Sequence, residues 1–216
     1  MNILIVFAHP EQKSFDGQMK EKAVSVFTGD GHVVQISDLY SMRFKPTADS
    51  GDFIDPANAA FFDLHAEQIR ASQLHTFTPD ILQEQRKIMW ADMIILQFPL
   101  WWYSVPAILK GWFDRVLAYG FAYGQGRSLA GRKVMLVLTT GGQPRDFTQE
   151  KRIAVNAMLD HIQRGILHFC GFEVLPPFAV YGAASATTEQ HEQVLLQYTQ
   201  LLRSIDLISA IDYGRS

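Results

Sequence analysis

Four short apolar runs, separated by segments of helical period, limit what this chain can become. They occupy residues 2–8 (NILIVFA), 32–39 (HVVQISDL), 93–98 (MIILQF) and 132–140 (RKVMLVLTT). Runs so poor in charge suit strands covered on both faces of a parallel sheet better than strands with one side in water. A fifth run, 173–181, contains Pro176 and Pro177, which confine it to a sheet edge or a bulge. Helical patterns fill the intervals at 16–27, 61–74, 79–90, 105–117 and 149–170. Thr187 with Gln190 forms a capping box that opens a last helix. Thr78 before Pro79 marks another helix start. Strands alternating with helices predict an α/β fold, a doubly wound five-stranded parallel sheet with helices on both faces. No repeat or flexible linker divides the chain, so residues 1–216 are expected to form one domain.

The chain has 216 residues, 48% apolar and 19% charged, enough for a sizeable core. Its net charge of −3 gives no basic field for nucleic acid. No apolar run approaches ~18 residues and MNILIVFAHP reads as a strand rather than a basic leader, so no membrane insertion is expected. One cysteine, Cys170, rules out an intrachain disulfide and fits a reducing cytoplasm. The seven histidines form no zinc pattern, and no metal site is expected.

The stretch 92–123 concentrates the functional signal. Pro99 ends the third strand, and Leu100, Trp101, Trp102 and Tyr103 put three consecutive aromatic rings into a loop, where they cannot all enter one core. A helix follows, with Val105, Ile108, Leu109, Trp112, Phe113, Val116 and Leu117 on its apolar side and Pro106 in its first turn. Ligands of open α/β sheets bind outside the carboxyl ends of the strands, where strand order reverses. An aromatic loop there suits a flat, conjugated ligand; the alternative is cover for a sheet edge or a subunit contact.

The loop after the first strand, His9 to Ser14, leads into a helix, and its free N–H groups with the helix dipole suit an anion. Ser14 adds a hydroxyl, and His9 and Lys13 add positive charge, although a histidine here also serves as a loop anchor and a lysine is often only solvated. Neither GxxxxGK[ST] nor GxGxxG is present. After the fourth strand, Thr139, Thr140, Gly141 and Gly142 allow a planar ligand close to the backbone, or make an ordinary tight turn.

The segments QFPLWWYSVPAILKGWFDRV and GFAY, TTGG at 139–142 and GILHFCGF at 165–172 closely resemble the flavodoxin-like NAD(P)H:quinone oxidoreductases, the DT-diaphorase family, over residues 3–205. The resemblance implies a flavodoxin-like fold, bound FAD with FMN as the alternative, NAD(P)H as cosubstrate and a quinone-like acceptor reduced in a ping-pong cycle. AHPEQKSFDG corresponds to the family's flavin-diphosphate segment, which carries over His9, Ser14, Phe15 and Asp16. Asp16 stands where the family often has asparagine, and it also suits a helix N-cap. The flavin ring is expected between Pro99, Leu100, Trp102 and Tyr103 on one side and Thr139, Thr140, Gly141 and Gly142 on the other, with a Cβ at Gly142 colliding with it; Trp101, at a position where the family often has glutamine, is carried over as a further cofactor contact. Asp63 falls where a flavin-contacting glutamine is common, and that contact is not carried over. Tyr123, Phe169 and Phe147 are the implied acceptor-binding residues. Phe147 and Ile153 occupy the family's Tyr/His proton-relay positions, and neither can move a proton. The resemblance also implies a homodimer, for which Trp112, Phe113, Tyr119, Phe121 and Tyr123 offer aromatic surface. The rival is an electron-carrier flavodoxin or a flavoprotein regulatory subunit of a membrane transporter.

Overall fold

A computed structural model describes residues 1–58, 60–124, 129–148 and 154–214. The apolar runs become β1 (Asn2–Phe7), β2 (Val33–Asp38), β3 (Met93–Pro99) and β4 (Lys133–Thr139). Two short segments, β5 (Glu173–Val174) and β6 (Phe178–Val180), complete the sheet. Every pairing is parallel, in the order β2-β1-β3-β4, and both β5 and β6 pair with β4. The one strand expected over 173–181 is thus two, β5 beside Lys133 and Val134 and β6 beside Val137 to Thr139. Pro176 and Pro177 interrupt it because neither has an N–H to give the ladder.

Alternation along the strands divides the core in two. Ile3, Ile5, Met93, Ile95, Met135 and Val137 face α1 (Phe15–Gly29) and α6 (Thr188–Arg203). Leu4, Val6, Ile94, Leu96, Phe98, Val134, Leu136 and Leu138 face α3 (Pro79–Trp90), α4 (Ala107–Val116) and α5 (Val155–Ile162). Helix α2 (Leu64–Leu74) lies outside this layer, where Ala71 packs with Phe53, Phe77, Ile81 and Ala118. Chain order reverses between β1 and β3, so the loops after β1, β3 and β4 converge at one edge.

Several local expectations change. Pro106 is the N-cap of α4 rather than part of its first turn; its carbonyl accepts from Leu109 and Lys110 at 2.9 and 3.1 Å. The segment 41–58 is no simple surface excursion. Phe44, Asp52 and Phe53 are buried, and Arg115 of α4 binds Asp52 at 2.9 Å and Asp80 at 2.8 Å. Trp112 and Phe113, expected to offer surface for a second copy, lie in this chain's own core, with Trp112 Nε1 donating to Glu84 at 2.9 Å. The helix expected over 149–170 begins, among described residues, at Val155 and widens into a π-helical turn at Gln163–His168. Among the described residues, no helix is long and apolar enough to cross a membrane.

Candidate functional site

The converging loops enclose a cavity of about 500 Å³ at the carboxyl edge of the sheet. His9, Ser14, Phe15 and Asp16 line it from the β1 side, Pro99, Leu100 and Trp101 from the β3 side, and Thr139, Thr140 and Gly141 from the β4 side. Ten of the thirteen residues expected to contact a cofactor are thereby brought together.

The β1 loop is shaped by short side-chain bonds. Nδ1 of His9 accepts from the Glu11 N–H at 3.0 Å, and the Glu11 carboxylate accepts from Lys13 N–H at 2.8 Å. Ser14, not Asp16, is the N-cap of α1: its Oγ accepts from Gly17 N–H at 3.1 Å. A Cβ at Gly17 would sit on the Gln12 carbonyl, so only glycine lets the loop close onto the helix. The first-turn N–H groups of α1 have no carbonyl from their own helix and point towards this edge.

Asp16 occupies the second position of α1 and is 3% exposed. Oδ2 accepts from the Thr139 hydroxyl at 2.6 Å, and the main-chain carbonyl accepts from Gln97 Nε2. Burial raises its pKa above the ordinary carboxylate value, against the lowering effects of the Thr139 bond and the nearby His9.

The remaining candidates lie elsewhere. Trp102 and Tyr103 adopt left-handed backbone conformations (φ 49° and 60°) in the turn closed by Trp101 and Ser104. Trp102 is 95% exposed and borders a second cavity of about 450 Å³, which it shares with Trp101, Ser104, Lys110 and His161. Tyr103 is exposed and lines neither cavity. Gly142 is also outside the first cavity: a Cβ there would meet the Phe147 ring at 2.8 Å. Phe147 packs on Tyr181 with ring centroids 5.6 Å apart. Tyr123 and Phe169, 5.6 Å apart, wall a third cavity with Leu64, Gln68 and Cys170. Burial pushes the Cys170 thiol up to about 11. Ile153 lies outside the described residues.

Sequence reasoning missed His191, Gln97, Ala183 and Ala184. His191 stacks on Phe15 with centroids 3.9 Å apart, and Nε2 donates to the Ala183 carbonyl at 2.9 Å. It stands in the first turn of α6, 176 positions after Phe15, and no local spacing links the two. Gln97 left a trace as the one polar side chain inside MIILQF. No group of His, Cys, Asp and Glu among the described residues could hold a metal ion.

A family model described as a flavodoxin-like fold matches residues 1–202. Ribosyldihydronicotinamide dehydrogenase [quinone] of Mus musculus is 42% identical over 210 residues, covering 94% of this chain and 91% of the relative. NAD(P)H dehydrogenase [quinone] 1 of Rattus norvegicus is 40% identical over 209 residues, covering 94% and 76%. The solved structure of a proposed quinone reductase from Klebsiella pneumoniae superimposes with a TM-score of 0.95 at 36% identity, over 100% of this chain and 88% of that one.

Proposed function

The chain belongs to the flavodoxin-like NAD(P)H:quinone oxidoreductase family, and on that premise we propose that it binds a flavin, FAD before FMN, in the cavity of about 500 Å³ and reduces a quinone-like acceptor with NAD(P)H. The observation that carries this reading is the convergence of a helix N-terminus, two threonine hydroxyls, an open glycine and a tryptophan on one cavity. A Cβ at Gly141 would meet no protein atom within 4 Å, so the backbone there is open to a planar group. His9, Lys13, Ser14 and the first turn of α1 form a donor set suited to phosphate, and Trp101 offers an aromatic face. When bound, the flavin supplies hydride acceptance and donation in two half-reactions that share one site. The chain's own contribution is to bind, orient and exclude water.

Tyr123 and Phe169 lie together away from that cavity, and Phe169 and Trp102 are exposed. In our reading the protein is a cytoplasmic homodimer in which these rings wall the acceptor space of the second copy. Phe147 can add an apolar contact but no proton, so the reaction proceeds without the Tyr/His relay.

Mass spectrometry of the pigment released by denaturation is expected to give FAD. Steady-state oxidation of NADH, NADPH and ribosyldihydronicotinamide with a soluble quinone is expected to give parallel double-reciprocal lines for the preferred donor. A colourless protein that neither takes up flavin nor oxidises any of the three donors would overturn the reading, and flavin binding without donor oxidation would favour an electron carrier.

A further inference from the structure

The cavity assigned to the flavin has a carboxyl group in its wall where an anionic cofactor calls for donors. Asp16 is almost fully buried, yet borders the space where phosphate is expected. Oδ2 holds the Thr139 hydroxyl, whereas Oδ1 has no hydrogen-bond partner and no contact with solvent. Two other buried oxygens around Asp16 share that condition. One is Gln97 Oε1, whose amide nitrogen is committed to the Asp16 main-chain carbonyl; the other is the Tyr198 hydroxyl, driven up first by burial and then by the Asp16 charge. An ionised Asp16 would place an unpaired charge among partnerless oxygens and against the incoming anion. A proton on Oδ1 removes the charge and turns an acceptor into a donor.

We propose that Asp16 carries a proton in the cofactor complex, so that flavin affinity is linked to pH through this one side chain. The inference rests on the flavin reading above. The groups that face Asp16 from the elements around it are His9 and Lys13 of the β1 loop, Thr139 of β4 and Thr140 just after it, Gln97 of β3, and His191 and Tyr198 of α6. Lys20, one turn along α1, is engaged by Gln12 at 2.7 Å and Asp38 at 3.6 Å. Burial already raises the Asp16 pKa, and a bound anion raises it further. Binding therefore takes up a proton between the free-state and bound-state values. Affinity is highest below the free-state value and falls by up to about tenfold per pH unit as pH rises through that window.

FAD is the probe, because its diphosphate stays fully ionised from about pH 5 to about pH 9, where ordinary aspartates also remain ionised. Flavin-free protein and its Asp16→Asn variant are titrated with FAD across this range, and the infrared spectra of both, with and without FAD, are compared at about pH 5. The expected result is a protonated-carboxyl band lost in Asp16→Asn, wild-type affinity that falls with pH, and variant affinity with a flatter profile. His9, Lys13 and His191 are common to both proteins, which differ only at Asp16. Superimposable FAD profiles, or no difference in the carboxyl band, would overturn the proton link while leaving the flavin site standing. A carboxyl band present with FAD bound by neither protein at any pH would instead defeat the flavin reading, and the inference with it.

Discussion

Gly141 and Gly142 adjoin in sequence but differ in surroundings. Gly141 opens into the cavity, whereas Gly142 makes room for the Phe147 ring. Gly141→Val is therefore expected to weaken FAD binding by about tenfold or more with little change in thermal stability. Gly142→Val should force Phe147 aside at a cost of about 1–3 kcal/mol. Fluorescence titration and thermal denaturation of both variants check this, and the opposite pattern would return the flavin to Gly142. Asp16 has a pH-dependent consequence at the same scale. Its folded-state pKa lies above the unfolded one, so its contribution is most favourable below the unfolded value and declines as pH rises through the folded one. Asp16→Asn retains an acceptor for Thr139 and gains N–H donors, and its melting temperature should gain on the wild type's as pH rises from the unfolded-state value of an aspartate, about pH 4, towards the higher folded-state one. A constant difference over that range would show that Asp16 does not titrate on unfolding.

At the scale of elements, the segment 41–58 is held to α4 through charge as well as apolar contact. Arg115 and Asp52 are both buried, Arg115 also bonds the Lys45 carbonyl at 3.1 Å, and its guanidinium lies 4.7 Å from the Phe44 ring centroid. Asp52→Ala takes one of two carboxylates from the buried Arg115, which keeps Asp80 at 2.8 Å, so the loss in urea unfolding is expected to be about 1–3 kcal/mol rather than that of a fully unpaired charge. Replacing Arg115 as well with methionine should recover part of that loss. A fully additive double mutant would mean that the two charges do not depend on each other. The interrupted edge strand shows the reverse relation, in which chain chemistry sets the element: Pro176 and Pro177 divide β5 from β6 whatever packs around them.

For the whole molecule, we expect one domain and a two-fold dimer. Two apolar layers share a single sheet, so near- and far-ultraviolet circular dichroism should report one coincident unfolding transition. Two separated transitions would divide the chain. Trp101, Trp102, Tyr103 and Phe169 remain exposed, and isologous pairing across them would cover aromatic surface that the single chain leaves in water. Sedimentation equilibrium is expected to give twice the chain mass, with Phe169→Glu shifting the protein towards monomer and lowering quinone turnover. A fully active wild-type monomer would defeat this.

Strand identity, the helix starts at Pro79 and after Thr187, and the edge role of 173–181 were legible in the chain, because period, proline geometry and capping are local properties. Most of the cavity wall was legible too, since strand ends in a parallel sheet meet at one edge. Tertiary structure decided the rest. It separated Trp102, Tyr103 and Gly142 from neighbours in sequence that line the cavity, because two left-handed residues turn the aromatic loop outward and Phe147 fills the space beside Gly142. It put Trp112 and Phe113 inside this chain's own core, where α3 supplies Glu84 for the indole. It also brought His191, Gln97 and Tyr198 around the α1 start from distant parts of the chain, and so gave Asp16 a burial and a set of neighbours that no local pattern encodes.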